Sequence, residues 1–171
     1  MKKGEGRLVF DFRTALSVDQ PEQQAQPFKC TDFVAEEMDA TWMIEVTDAL
    51  KANPQELNRA VKDLLGQLTS GVLMKDMLMK LYGTHAHLAN ENIKPGSKVF
   101  FCVVVGLPQE RDNAPQRLRI RDEMKRITDR IGPSFHGAAN RPIIKVESIE
   151  SWNRSHPDVQ ITSQVGSGGG S

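Results

Sequence analysis

Residues 99–105 read V-F-F-C-V-V-V, an unbroken apolar run closed by Gly106 and Pro108. A strand with one wet face alternates polar and apolar residues, so this run predicts a central strand covered on both sides, as helices cover the sheet in α/β domains. It is far short of the roughly 18 apolar residues of a membrane span. The rest of the chain must therefore supply the two covers.

The flanking patterns supply candidates for them. Leu8, Phe10 and Phe12 alternate with Val9, Asp11 and Arg13, the period of a half-buried strand within residues 7–18. Residues 19–27 are Gln-rich with two prolines and predict an exposed loop. Helix formers at 34–40 predict a short helix or turn, followed by a strand over 41–46. Asn53-Pro54-Gln55-Glu56 has the chemistry of a helix start: an N-cap, a proline at the first helical position and a glutamate at N3. Leu57, Ala60, Val61, Leu64, Leu65 and Leu68 then form one apolar stripe. After Thr69-Ser70-Gly71 a Met-rich helix resumes and is expected to end near Tyr82-Gly83. A further helix is predicted over 115–131, with Leu118, Met124, Ile127 and Ile131 inward and Arg117, Arg119, Arg121, Lys125, Arg126 and Arg130 outward. A strand follows over 142–149, then a turn over 152–157 and an edge strand over 158–165.

Strands joined through helices point to an α/β fold, a single-domain parallel or mixed sheet of about five strands with packed helices. Its 171 residues, 39% of them hydrophobic, suffice for one core and are too few for two comfortable domains. The domain is placed at 1–165, and the Gly/Ser residues 166–171 are read as a flexible tail.

Charge narrows the partners. The 22 basic and 22 acidic residues cancel, which disfavours a nucleic-acid or anionic-membrane partner. Seven basic and eleven acidic groups fall in residues 1–60, against twelve and eight in 61–130, an asymmetry able to orient a protein partner. Two cysteines are too few for a disulfide framework, and no signal peptide is apparent, so a soluble, cytoplasmic protein is expected.

No segment carries a specific catalytic signature. Glu36, Glu37 and Asp39 have the oxygens a divalent ion wants but not the loop spacing, so they read as a solvated face. His85 and His87 would share a face on an extended backbone, as a metal site requires, yet no further ligand of fixed spacing accompanies them. Ser134 and His136 lack an orienting acid. The reading leans away from an enzyme, with no catalytic residue, metal or cofactor expected. Two surfaces are candidates for a protein partner: Met74, Met77 and Met79, whose side chains adapt to irregular surfaces, and Arg117 with Arg121 on the cationic helix. Core packing of the methionines and a salt-bridge lattice of Arg119–Glu123 and Asp122–Arg126 pairs are the plainer readings.

From Lys75 to Thr162 the order of features resembles a stretch of the trehalose-phosphate-synthase family of nucleotide-sugar glycosyltransferases. The corresponding pieces are Lys75, Gly96-Ser97-Lys98-Val99, Leu107-Pro108 with Arg111, Gln116-Arg117-Leu118-Arg119, Arg130-Ile131, Pro142-Ile143 and Asp158-Val159. The resemblance implies a nucleotide-sugar-binding domain with Lys75, Arg111 and Arg141 as phosphate contacts. Ser70 stands where the family has its donor-binding arginine, and the acidic helix that holds the donor ribose has no counterpart. The implied domain is thus truncated or degenerate and inactive alone. Between the two expectations, the residues favour a non-catalytic binding or interaction module within a larger assembly, with the glycosyltransferase-like domain as the alternative.

Overall fold

The computed structural model of the chain describes all residues except 1, 6–7, 22–28, 50–53, 92–95, 97, 107–113, 132–141 and 164–171. Strand β1 (Lys2–Glu5) pairs antiparallel with β2 (Leu8–Phe12), in which Leu8, Phe10 and Phe12 are buried and Val9 and Asp11 half-buried, as their alternation predicts. Strand β3 (Ser17–Asp19) pairs antiparallel with β4 (Phe33–Glu36), and β4 with β5 (Ala40–Asp48). The short helix or turn expected over 34–40 is thus a strand followed by a tight turn. Phe33, Val34 and Ala35 are all buried, and β4 is paired along both edges; this packing outweighs the helix preference of the Ala-Glu-Glu-Met run.

Helix α1 (Pro54–Ser70) starts where the proline predicts and buries Val61 and Leu64, with Leu57, Ala60 and Leu65 partly buried beside them. The proposed cap, Asn53, lies outside the described residues. Gly71, at φ 78°, links α1 to α2 (Val72–Asn90) in a left-handed conformation that glycine adopts without strain. Helix α2 runs well past the stop expected at Gly83. Its continuing inner face, Leu81, Thr84, His85 and Leu88, is buried, and burial of such a face outweighs the helix cost of one glycine. Consequently His85 and His87 are helical, two residues apart on divergent faces rather than side by side. His87 Nε2 lies 3.4 Å from Asp19 Oδ2.

The central strand β6 (Lys98–Gly106) is followed by α3 (Ala114–Ile131), β7 (Ile143–Ser148), α4 (Ile149–Ser155) and β8 (Val159–Ser163). Strands β3-β4-β5-β6-β7 form a mixed sheet in which β6 is parallel to both neighbours; β1-β2-β8 form a separate antiparallel sheet with β8 at its edge. On one face of β6, Val99, Phe101, Val103 and Val105 are buried against side chains of α1, α2 and α3. On the other, Cys102 and Val104 are buried with Leu8, Phe10, Phe12, Ile161 and Trp152. The run is thus covered on both sides as expected, although its second cover is a three-stranded sheet with α4 rather than helices alone. Phe100, near the strand's start, is only half-buried.

Two local details correct the expected helices. The inward row of α3 is Arg117, Ile120 and Met124, while Leu118 is 46% exposed. Arg117 turns inward onto β7, the last strand of the sheet among the described residues: its Nη1 donates to Val146 O at 3.3 Å. The segment expected as a turn at 152–157 is mostly α4, capped by the Ser148 hydroxyl, which accepts from Ser151 N at 3.2 Å. Gly96 is fixed by crowding, since a Cβ there would lie 2.7 Å from Ala40 N and 2.8 Å from Asp39 C. Among the described residues no helix is long and apolar enough to cross a membrane.

Candidate functional site

The residues singled out from the sequence do not assemble into one site. Met77 is buried in the helix-side core, Met74 is partly buried against it, and Met79 is exposed. A methionine groove is therefore reduced to one outward side chain. Arg117 is buried, and Arg121 is bonded to its neighbour Asp122 at 2.7 Å. Glu123 pairs with Arg126 rather than with Arg119. Lys75 is exposed on α2, whereas Arg111 and Arg141, and likewise Ser134 and His136, lie outside the described residues. Where α1 meets α2, a hollow of about 270 Å³ touches Met74, Arg119 and Glu123. It holds one cation and one anion and no aromatic wall, so nothing in it selects a ligand.

A second cavity lies between the two sheets. Trp42, on β5, faces the three-stranded layer, and its cross-strand partner on β4 is Ala35. On its β6 side it stacks on Phe100, with ring centroids 4.1 Å apart and planes 12° from parallel. On its β4 side the small Ala35 leaves room. The result is a cavity of about 160 Å³, lined by Trp42 but not by Phe100. Phe12 and Ala15 close it from the β2 side, and Trp152 and His156 close it from the end of α4.

Helical spacing brings the last two rings together. Trp152 and His156 are four residues apart, their centroids are 4.3 Å apart, and both rings stand near perpendicular to Trp42, with centroids at 6.2 and 5.0 Å from it. Trp152 is anchored by an indole N–H that donates to Val159 O at 2.6 Å. At the rim Glu37 accepts from Trp42 Nε1–H at 3.1 Å and from the Thr14 hydroxyl at 3.2 Å, so its carboxylate is held at the edge of the Trp42 ring. Asp158, exposed, also lines the cavity.

A polar cluster backs the aromatic wall. Lys145 Nζ lies 5.2 Å from the Trp42 centroid and 5.3 Å from that of Phe100, beside the stacked pair and outside the cavity lining. It is 3.8 Å from Glu147 Oε1 and 3.3 Å from His156 Nε2, which is also 3.5 Å from Glu147 Oε1. Nε2 can donate to Glu147 or accept from Lys145, not both. Burial works against the Glu147 charge, but hydrogen bonding and the charges of His156 and Lys145 outweigh it and hold its pKa below the usual value. The Ser151 hydroxyl approaches Glu147 at 3.4 Å instead of the imidazole, so this cluster is not a nucleophile–base pair.

On the opposite face of β5, Glu45 is 97% buried as a side chain, being only 3% exposed, and is paired with Lys80 of α2. Asp32, whose Oδ2 accepts from Val46 N at 2.7 Å, is its second neighbour. Burial, reinforced by the Asp32 charge, pushes the Glu45 carboxyl up to about 8 against the pull of Lys80. Burial likewise raises Asp32. One ammonium facing two carboxyls leaves a neutral cluster only if one carboxyl keeps its proton, and Glu45 is the more buried of the two. None of the three lines the cavity between the sheets.

Trp42 and His156 are given no binding role from the sequence, and Glu37 enters there only as part of the acidic cluster Glu36, Glu37 and Asp39, read as a solvated face. The W-x-x-x-H spacing of Trp152 and His156 was a usable signal, hidden because the segment reads as a turn. Compared with protein-family models, curated proteins and solved structures, the chain matches none.

Proposed function

We propose that this chain is a non-catalytic α/β binding module that engages a protein partner at the cavity between its two sheets, as one part of a larger assembly. The observation that carries this is the three-ring wall of Trp42, Trp152 and His156 lining one cavity, with two exposed apolar residues next to lining residues in the chain. Leu16 is 68% exposed and Met38 92% exposed, and they are the chain neighbours of the lining residues Ala15 and Glu37. The hydrogen bond from Leu16 N to Glu36 O, at 2.7 Å, ties the two segments together. Exposed apolar side chains beside a preformed aromatic pocket suit a peptide that inserts one anchor and lays its neighbours alongside. The volume, about 160 Å³, is below the roughly 300–1,000 Å³ of a drug-sized small-molecule site and suits one side chain better than a sugar nucleotide.

The test is a displayed random-peptide library panned on the wild-type chain and, in parallel, on Ala35→Leu, which fills the space beside Trp42. Peptides enriched on the wild type should lose about tenfold or more in affinity on the filled variant, while its melting temperature is kept. Ala15→Leu fills from the opposite wall should Ala35→Leu fail to fold. Absence of any enriched peptide, or equal binding to both chains, overturns the proposal.

A further inference from the structure

We infer, resting on the binding reading above, that the side chain the cavity takes from the partner peptide is basic, with arginine favoured over lysine. The cavity joins an aromatic face to fixed negative charge. Trp42 is the ring type that attracts cations most strongly, and it lines the cavity while its stacking partner Phe100 does not. Glu37 is held at the edge of that ring by the indole N–H and the Thr14 hydroxyl; each carboxylate oxygen keeps a further lone pair for a donor. Asp158 adds a second anion to the lining.

Among the described residues no Lys or Arg lines the cavity to answer these acids. Lys145 lies beside the Trp42–Phe100 stack, 3.8 Å from Glu147, and Arg13, whose backbone N–H donates to Asp158 O, has its guanidinium 3.7 Å from Asp11. A planar guanidinium can lie against the indole while its N–H groups reach Glu37, a geometry that a lysine ammonium matches only as a point charge. The exposed Leu16 and Met38 then receive apolar residues flanking the arginine, which distinguishes a peptide from a free amine.

The probes are the peptides acetyl-Leu-Arg-Leu-amide, its lysine counterpart and its isosteric, uncharged citrulline counterpart, with agmatine as the free guanidinium. Each is titrated while the Trp42 indole N–H is followed by NMR. The arginine peptide should give a saturable shift, with citrulline weaker by about tenfold or more, as expected for loss of a charge-assisted contact. Glu37→Gln, which keeps an acceptor for the indole, should weaken the arginine peptide and leave the citrulline peptide unchanged. Ala35→Leu should abolish both. Equal binding of arginine and citrulline peptides, no effect of Glu37→Gln, or agmatine binding as tightly as the peptide overturns this inference. If the library yields peptides that depend on the Ala35 space but lack basic residues, the basic anchor fails and the binding reading stands. If it yields none that depend on that space, the binding reading itself fails.

Discussion

Replacing Glu45 with Gln should flatten a pH dependence of stability that the wild-type chain owes to one buried proton. In the folded chain burial and Asp32 push the Glu45 carboxyl up to about 8 from an ordinary 4.5. Between those values the folded state holds a proton that the unfolded chain has released. The unfolded state therefore binds fewer protons, and stability falls as pH rises. The contribution is fully present below the ordinary carboxylate pKa and is lost as pH rises through the folded value. A fully developed shift gives a slope of about 1.4 kcal/mol per pH unit. Rearrangement of Lys80, Asp32 and Asp76, the charged groups around Glu45, reduces it, so a loss on the order of 2 kcal/mol between pH 6 and 8 is expected. Glutamine fills the same space and has no proton to lose. Urea unfolding of both chains at half-unit steps over this window, compared at matched m-values, isolates the Glu45 contribution from the histidines, which both chains share. A wild-type curve that rises across the window, or an identical slope in the variant, refutes the reasoning.

Three further outcomes follow from the packing. Phe101→Ala should destabilise by about 3–5 kcal/mol, because Phe101 is fully buried in the centre of the helix-side core; urea midpoints measure it, and a cost below about 1 kcal/mol would deny the strand its central place. Gly96→Ala should cost about 1–3 kcal/mol, since the new Cβ meets the backbone of Asp39 and Ala40, which cannot rotate away. Glu147 acts on the acid side: its pKa is held below 4.5, so its contribution is present above that value and lost as pH falls through the lowered one, and Glu147→Gln should shrink the acid loss seen in pH-dependent melting.

Legibility divided along local and non-local lines. The central strand, the start of α1 and the buried row Leu8, Phe10 and Phe12 were readable because each is written in the spacing of consecutive residues. The three-stranded sheet was not, because β2 finds β8 near the other end of the chain, with Leu8 opposite Ser163, and no local pattern records that pairing. The five-strand α/β expectation therefore held for the main sheet and missed the second layer. The cavity was hidden for the same reason. It depends on the register that sets Ala35 opposite Trp42 and on α4 carrying Trp152 and His156 across to it. The histidines of α2 show the converse: H-x-H has meaning for a metal only on an extended backbone, and burial of Leu81 and Leu88 made that backbone helical.

Strand β5 separates the cavity from the buried Glu45–Lys80 pair, one on each of its faces. Trp42 and Ile44 point to the cavity layer, while Met43 and Glu45 point to the helices. Because alternate side chains of one strand share a backbone but not a surrounding, filling the cavity and neutralising Glu45 should act independently. Ala35→Leu alters only the layer that contains Trp42, so it should leave the fall in stability between pH 6 and 8 intact. The double variant Ala35→Leu with Glu45→Gln should show the sum of the two single effects within about 0.5 kcal/mol. A double-mutant cycle at pH 6 and at pH 8 measures this directly. A coupling above about 1 kcal/mol would mean that β5 transmits a change from one face to the other. The anchor pocket and the buried proton would then belong to one switch rather than to two separate features of the fold.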